Sequence, residues 1–277
     1  MSSPACLSVL KRNNVTVSGA GRQAMVFVHG FGCDQRMWRL VAPAFEARYR
    51  VVLLDLVGAG GSELAAYDPE RYSSLSAHAD DLLEVLHALA LHDVVLVGHS
   101  VSAMIGVLAA IREPARFARL VLVGPSPRYI NDRDYVGGFE RADIDELLEA
   151  LDSNYLGWSG HITPVIMGHR ERPELAAELN DSFCRTDPAI ARHFARVTFL
   201  SDNRADLPGV PTPTLILQCS HDVIAPVTVG QYMHRHLPHS ELVILDTSGH
   251  CPHLSAPQAT IAAIDHFLRV PAPVPVL

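Results

Sequence analysis

Cysteine is scarce in this chain. Cys6, Cys33, Cys184, Cys219 and Cys251 are the five among 277 residues, and no two have CxxC spacing. An odd count without paired spacing argues against a disulfide framework and fits a reduced, cytoplasmic protein. Long apolar runs are missing too: none approaches the ~20 residues of a membrane span. The opening MSSPACLSVLKRNN lacks a basic stretch leading into such a run, so no signal peptide is expected. Nor is there a basic stripe. The formal net charge is −8, which argues against nucleic acid as a partner, because phosphate neutralisation needs clustered Lys and Arg. With 48% hydrophobic and 19% charged residues, the composition is that of a folded globular chain.

Short apolar runs, by contrast, recur. Met25–Val28, Val51–Leu54, Val94–Val97 and Leu120–Val123 are apolar at every position, as parallel strands buried on both faces are. Leu7–Leu10 and Val15–Val17 read as a short antiparallel lead-in. Between the second and third runs, Leu82, Leu83, Val85, Leu86 and Leu89 fall at helical spacing. Strand, helix, strand at this rhythm predicts an α/β fold, a mostly parallel twisted sheet with crossover helices. The rhythm breaks after Gly124. Helical patterns follow at Asp143–Leu151, Ser153–Met167, Pro173–Cys184 and Pro188–Leu200, the last opened by Asp187-Pro188, an N-cap before a first-turn proline. Strands resume at Thr214–Gln218 and Leu242–Leu245, with helices at Val227–Leu237 and Pro257–Phe267. The expected organisation is a core of residues 1–125 and 201–277, a four-helix lid of residues 126–200, and an exposed PAPVPVL tail.

The chemistry is concentrated in VVLVGHSVSAMIGVLAA. A buried strand runs into Gly98-His99-Ser100-Val101-Ser102 and a helix follows, the context of a nucleophile elbow that presents a serine hydroxyl above a sheet. The usual pattern is G-x-S-x-G; Ser102 stands at the last position. A serine hydroxyl needs a base, and the base an orienting group. Asp222 follows TLILQCS and His250 follows LVIL, in the order Ser, Asp, His. Asp246 is an alternative orienting carboxylate and His253 an alternative base. VFVHGFG is a strand leading into a glycine-bracketed loop. It assigns the two oxyanion donors to the N–H groups of Phe31 and Val101, with His29 bracing the loop.

No cofactor or metal is expected. Gly58-Ala59-Gly60-Gly61 lacks the GxGxxG spacing of a dinucleotide loop. His234, His236 and His239 end an amphipathic helix with no thiolate or carboxylate set to complete a metal site. Cys251 reads as a small packing residue.

HGFGCDQRMW, VGHSVSAMIGVLAA, SPRYIND, DYVGGFE, SNYLGW and GHCPHLSAP together resemble the RsbQ-type α/β-hydrolases of bacteria, to which the plant karrikin and strigolactone receptors are similar. The resemblance runs from about Asn14 to Phe267, and Ser102 belongs to that group's own pattern. It implies an α/β-hydrolase fold, a Ser-His-Asp triad at Ser100, His250 and Asp222, and a four-helix lid. It also implies an apolar pocket lined by Phe31, Tyr129, Leu147, Trp158, Ile162, Phe199 and Ile224, with Ile162 where the plant receptors carry an aromatic residue. Two functions follow from it. One is hydrolysis of a small hydrophobic carboxylic ester or lactone through an acyl-serine. The other is ligand sensing with slow hydrolysis, passed to a protein partner in stress signalling.

Overall fold

The computed structural model describes residues 4–270; the proline-rich end, 271–277, lies outside the described residues. In chain order the elements are α1 (Pro4–Arg12), β1 (Thr16–Ser18), β2 (Ala24–Val28), β3 (Arg50–Leu54), α2 (Leu75–Ala88), β4 (Val94–His99), α3 (Val101–Arg112) and β5 (Phe117–Val123). Then come α4 (Arg141–Ser153), α5 (Tyr155–Met167), α6 (Pro173–Cys184) and α7 (Pro188–Phe199). The chain closes with β6 (Thr214–His221), α8 (Val227–His236), β7 (Ser240–Ser248), α9 (Pro252–Ser255) and α10 (Pro257–Arg269).

The apolar runs form one seven-stranded sheet in the order β1-β3-β2-β4-β5-β6-β7. Only β1 is antiparallel to its neighbour; every other pair is parallel. Both faces are covered, which is why these strands are apolar throughout rather than alternating. Val26, Val28 and Leu96 pack with Leu82 and Leu86 of α2 and Met104 of α3. On the other face, Met25, Phe27 and Val97 pack with Trp38, Phe45 and Ile264 of α10. Each such side chain, fully withdrawn from water, contributes roughly 1.5–3 kcal/mol of transfer free energy. Among the described residues, no helix is long and apolar enough to cross a membrane.

One element departs from the sequence reading. Leu7–Leu10 is not a strand but part of α1. Cys6, Val9 and Leu10 turn inward at helical spacing while Leu7 and Ser8 are exposed. The helix lies on α2, with the Cys6 thiol donating to the Ala88 carbonyl at 3.0 Å and Arg12 paired to Glu84 at 2.6 Å. Lys11 and Arg12 fall in its last turn, where cations offset the helix dipole. A four-residue stretch with three apolar positions carries too little periodicity to separate helix from strand.

Helices α4 to α7 stand between β5 and β6 and form a roof over the carboxyl edge of the sheet. Their boundaries are written in local chemistry. Asp187 Oδ1 accepts from the N–H groups of Ala189 and Ile190 at 2.8 and 3.2 Å, and Asn154 Oδ1 accepts from Gly157 at 3.0 Å. A separate apolar cluster, including Ile144, Leu148, Leu151, Leu175 and Leu179, holds the roof together. Ionic and polar tethers join it to the layer below: Arg39 to Glu178 at 2.7 Å, Arg185 to Asp34 at 3.1 Å, and Tyr67 to His193 at 2.8 Å.

Asp34, which accepts from Arg185, is also bonded by its neighbour Arg36, at 2.7 Å. Burial pushes its carboxyl upward, but hydrogen bonds from Arg36 and Arg185 outweigh that and bring it down to about 2. The folded chain therefore keeps this carboxylate ionised to lower pH than the unfolded chain does. Its stabilisation is complete above the ordinary value of 3.8 and drains away as pH falls toward 2. Asp34→Asn, which keeps an oxygen for the Arg36 N–H, is expected to cost about 1 kcal/mol at neutral pH. Melting curves of the two proteins are expected to converge between about pH 4 and pH 2; a gap that persisted there would contradict the ionic origin.

Candidate active site

Four of the sheet's carboxyl ends converge beneath the roof. At the end of β4 the chain must turn sharply into α3, and Ser100 takes the strained conformation φ 56°, ψ −121° that this turn needs. Such a residue costs of order 1–3 kcal/mol and persists only where its surroundings hold it. Here the Ser100 N–H donates to the Val123 carbonyl at 2.8 Å, and its carbonyl accepts from Ala103 at 2.9 Å. Gly98 is required by space: a Cβ there would lie 2.5 Å from the Ser102 carbonyl oxygen. Ser102, where the common pattern has glycine, is buried and donates its hydroxyl to the His29 carbonyl, tying the elbow to the loop after β2.

His250 lies past the end of β7 and Asp222 past the end of β6. The His250 ring stands between the other two groups, with Nδ1 2.7 Å from Asp222 Oδ2 and Nε2 2.8 Å from Ser100 Oγ. Asp222 cannot swing away, because Oδ1 accepts from the N–H groups of Ile224 and Ala225 at 2.8 and 3.1 Å. A carboxylate can only accept, so Nδ1 donates to it and Nε2 is left with a lone pair facing the Ser100 hydroxyl. All three residues are buried. Of the alternatives, Asp246 is exposed on β7, and His253 is buried with its ring 4.7 Å from Trp38, turned to the core.

Phe31, on the loop after β2, and Val101, the first residue of α3, flank Ser100. Among the described residues, neither backbone N–H is given to another backbone group outside the regular elements. Val101 opens α3, whose first N–H groups have no partner within the helix. His29 braces the Phe31 loop. Its Nε2 accepts the Leu56 N–H at 3.0 Å, so Nδ1 is the donor to the Gly30 carbonyl at 2.8 Å.

Above Ser100 lies a small cavity of about 40 Å³. Of the residues assigned to it from the sequence, Phe31, Tyr129, Phe199 and Ile224 line it. Leu147, Trp158 and Ile162 do not. Leu147 packs within the roof's own cluster. Trp158 stacks against Tyr155 and Phe183, and Phe183 itself forms the cavity wall. Helix α5 reaches the cavity only near its end, so Ile166, one turn beyond Ile162, is the residue that meets it. The sequence reading missed Leu179 and Phe183, an i,i+4 apolar pair on α6, and the thiols of Cys33 and Cys251. It also missed His99, although Cys251 and His99 adjoin the base and the nucleophile.

The surroundings bias several groups toward neutrality. Burial raises the Tyr129 hydroxyl to about 12, with Ser100 close enough to oppose the shift. Burial drives His99 well below the ordinary histidine range and takes His253 to about 3. Two imidazoles biased toward neutrality therefore stand beside that of His250. Replacing Asp222 with Asn removes the acceptor that fixes the His250 tautomer. If the three groups act together, Asp222→Asn is expected to lower turnover by about 10⁴-fold at neutral pH with little change in folding, measured by ester hydrolysis beside circular dichroism.

Comparison with known proteins gives the family. The model of the alpha/beta hydrolase family matches residues 25–264. Strigolactone esterase D14 of Arabidopsis thaliana is 40% identical over 263 residues, covering 95% of this chain and 97% of that protein. Karrikin insensitive 2 receptor CA of Petunia hybrida is 40% identical over 257 residues, covering 92% and 95%. Among solved structures, a hydrolase from Oleispira antarctica superposes with a TM-score of 0.93 at 41% identity, covering 96% of this chain and 98% of its own. With a matched model spanning most of its length and relatives at this identity, the chain belongs to the alpha/beta hydrolase family, in the group that holds the strigolactone esterases and karrikin receptors.

Proposed function

We propose that the protein hydrolyses a small hydrophobic carboxylic ester or lactone through an acyl-Ser100 intermediate. The observation that carries this reading is the unbroken chain from Ser100 Oγ through the His250 ring to Asp222 at 2.8 and 2.7 Å, at the floor of an apolar cavity. Ser100 Oγ bonds to the substrate carbonyl carbon while its proton passes to His250 Nε2. The carbonyl oxygen becomes an oxyanion held by the Phe31 and Val101 N–H groups. The bond to the alkoxy oxygen then breaks, and His250 returns the proton to the departing alcohol. Water, activated by the same imidazole, releases the acid and restores Ser100. With a lactone the alcohol stays attached to the acyl group until deacylation.

Substrate size follows from the enclosure. At about 40 Å³ the space is far below ordinary ligand pockets of ~300–1,000 Å³, so anything beyond a very small acyl group requires the walls to give. The roof helices act as a lid that limits what can enter.

A second reading, ligand sensing with slow hydrolysis and a protein partner in stress signalling, is favoured by one observation: a relative at 40% identity is named a karrikin receptor. Turnover separates the two. A panel of p-nitrophenyl esters is expected to show acetyl and butyryl esters cleaved and palmitoyl esters refused, with Ser100→Ala reducing the rate at least ~10³-fold. Activity surviving that substitution would end the acyl-serine reading. Rates near the ordinary enzyme value of ~10 per second would favour the enzyme over the sensor.

A further inference from the structure

The loop that carries His250 leaves β7, and β7 is the outermost strand of the sheet. It has a neighbouring strand on one side only. From that side, the His221 carbonyl accepts the Gly249 N–H at 2.7 Å. From the core, His99 Nε2 donates to the His250 carbonyl at 2.9 Å, and a further support comes from the roof. The His250 N–H donates to the Ile166 carbonyl at 2.8 Å, one of the last carbonyls of α5, which lack partners along the helix. The two backbones meet with no side chain between them. Gly249 has φ 81°, and a Cβ on it would lie 2.0 Å from the Met167 carbonyl oxygen; one on Gly168 would lie 2.8 Å from the Gly249 nitrogen.

A side chain also spans this contact. His169, in the turn between α5 and α6, sets Nε2 3.1 Å from the Ser248 carbonyl and 3.3 Å from Thr247 Oγ1. Its Nδ1 lies 2.7 Å from Glu171 Oε1, which fixes the plane of the ring. His169 is half-buried and touches none of the reacting groups.

We propose that His169 is a positioning residue for His250. Acting through the Ser248 carbonyl, it docks the base-carrying loop on the end of α5, so that base and roof shift as one body. This rests on the reading of Ser100, His250 and Asp222 as a working triad. The physical ground is tolerance. The imidazole has to keep two hydrogen bonds to groups on separate loops, and a displacement of about 1 Å can cost on the order of 100-fold in rate. Without the roof, the loop's backbone would be held only from the sheet and the core, by the His221 carbonyl and the His99 ring, and would be free to shift on its outer side. A displaced base slows the chemical step and leaves the cavity walls, and so substrate binding, in place.

The test is steady-state hydrolysis of p-nitrophenyl acetate by wild type, Ser100→Ala, His169→Ala and His169→Gln, with thermal melting of each. His169→Ala is expected to lower kcat about tenfold while KM stays within about twofold. His169→Gln, whose amide N–H can reach the Ser248 carbonyl, is expected to recover most of that loss, although both variants melt alike. Wild-type kcat in His169→Ala, or equal loss in both variants, would overturn the proposal. If His169→Ala does not fold, Glu171→Ala removes the acceptor that holds the same ring from the surface; a kcat drop of about threefold is expected, and an unchanged kcat would overturn the idea. If Ser100→Ala stays active, the triad reading fails and this proposal with it. If activity depends on Ser100 but is indifferent to residue 169, only the present inference fails.

Discussion

A proton can leave Ser100 for His250 only while the imidazole keeps one tautomer, and the Asp222 carboxylate is what selects it. Nδ1 donates to Asp222 Oδ2 at 2.7 Å, which leaves Nε2 as an acceptor 2.8 Å from the serine oxygen. The rest of the architecture serves this requirement. Parallel strands bring distant parts of the chain to one edge, so residues separated by more than a hundred positions meet there. Strain at Ser100 is tolerated because the packed sheet and α3 hold it. Backbone donors to Asp222 Oδ1 keep that carboxylate from turning away.

The ring of the base also sits in unusual company. His99 donates Nε2 to the His250 carbonyl at 2.9 Å, and its ring lies 4.4 Å from that of His253. Burial keeps both neighbours uncharged, so when His250 takes up a proton it does so without cationic imidazoles beside it. A charged histidine at either place would oppose the imidazolium that the reaction requires. The apolar packing around this cluster thus has an electrostatic effect as well as a structural one.

Much of this was legible in the residues. Buried parallel strands betray themselves by runs without polar positions, and the glycine–x–serine turn after such a run marks its chemistry. Asp222 and His250 could be placed because each follows a recognisable strand. Leu7–Leu10 was misread because a stretch of four residues, three of them apolar, carries no clear period, and the packing of α1 against α2 decides what they become. The cavity was legible only in part. Phe31, Tyr129, Phe199 and Ile224 line it, but Leu147, Trp158 and Ile162 do not, because which face of a roof helix meets the cavity depends on how four helices settle on one another. The roof's hold on the His250 loop left no trace in the sequence beyond two glycines and a histidine in an otherwise ordinary turn.

Two thiols share the chamber with the serine. Cys33 and Cys251 both border the cavity, and burial raises both above the ordinary thiol range. A protonated thiol is a weak nucleophile. Of the two thiols and the Ser100 hydroxyl that an entering electrophile would meet, the hydroxyl is the one set 2.8 Å from the His250 Nε2. Covalent chemistry inside the enclosure is thereby steered to oxygen rather than sulfur, and the selectivity arises from dielectric surroundings as much as from the identity of the atoms.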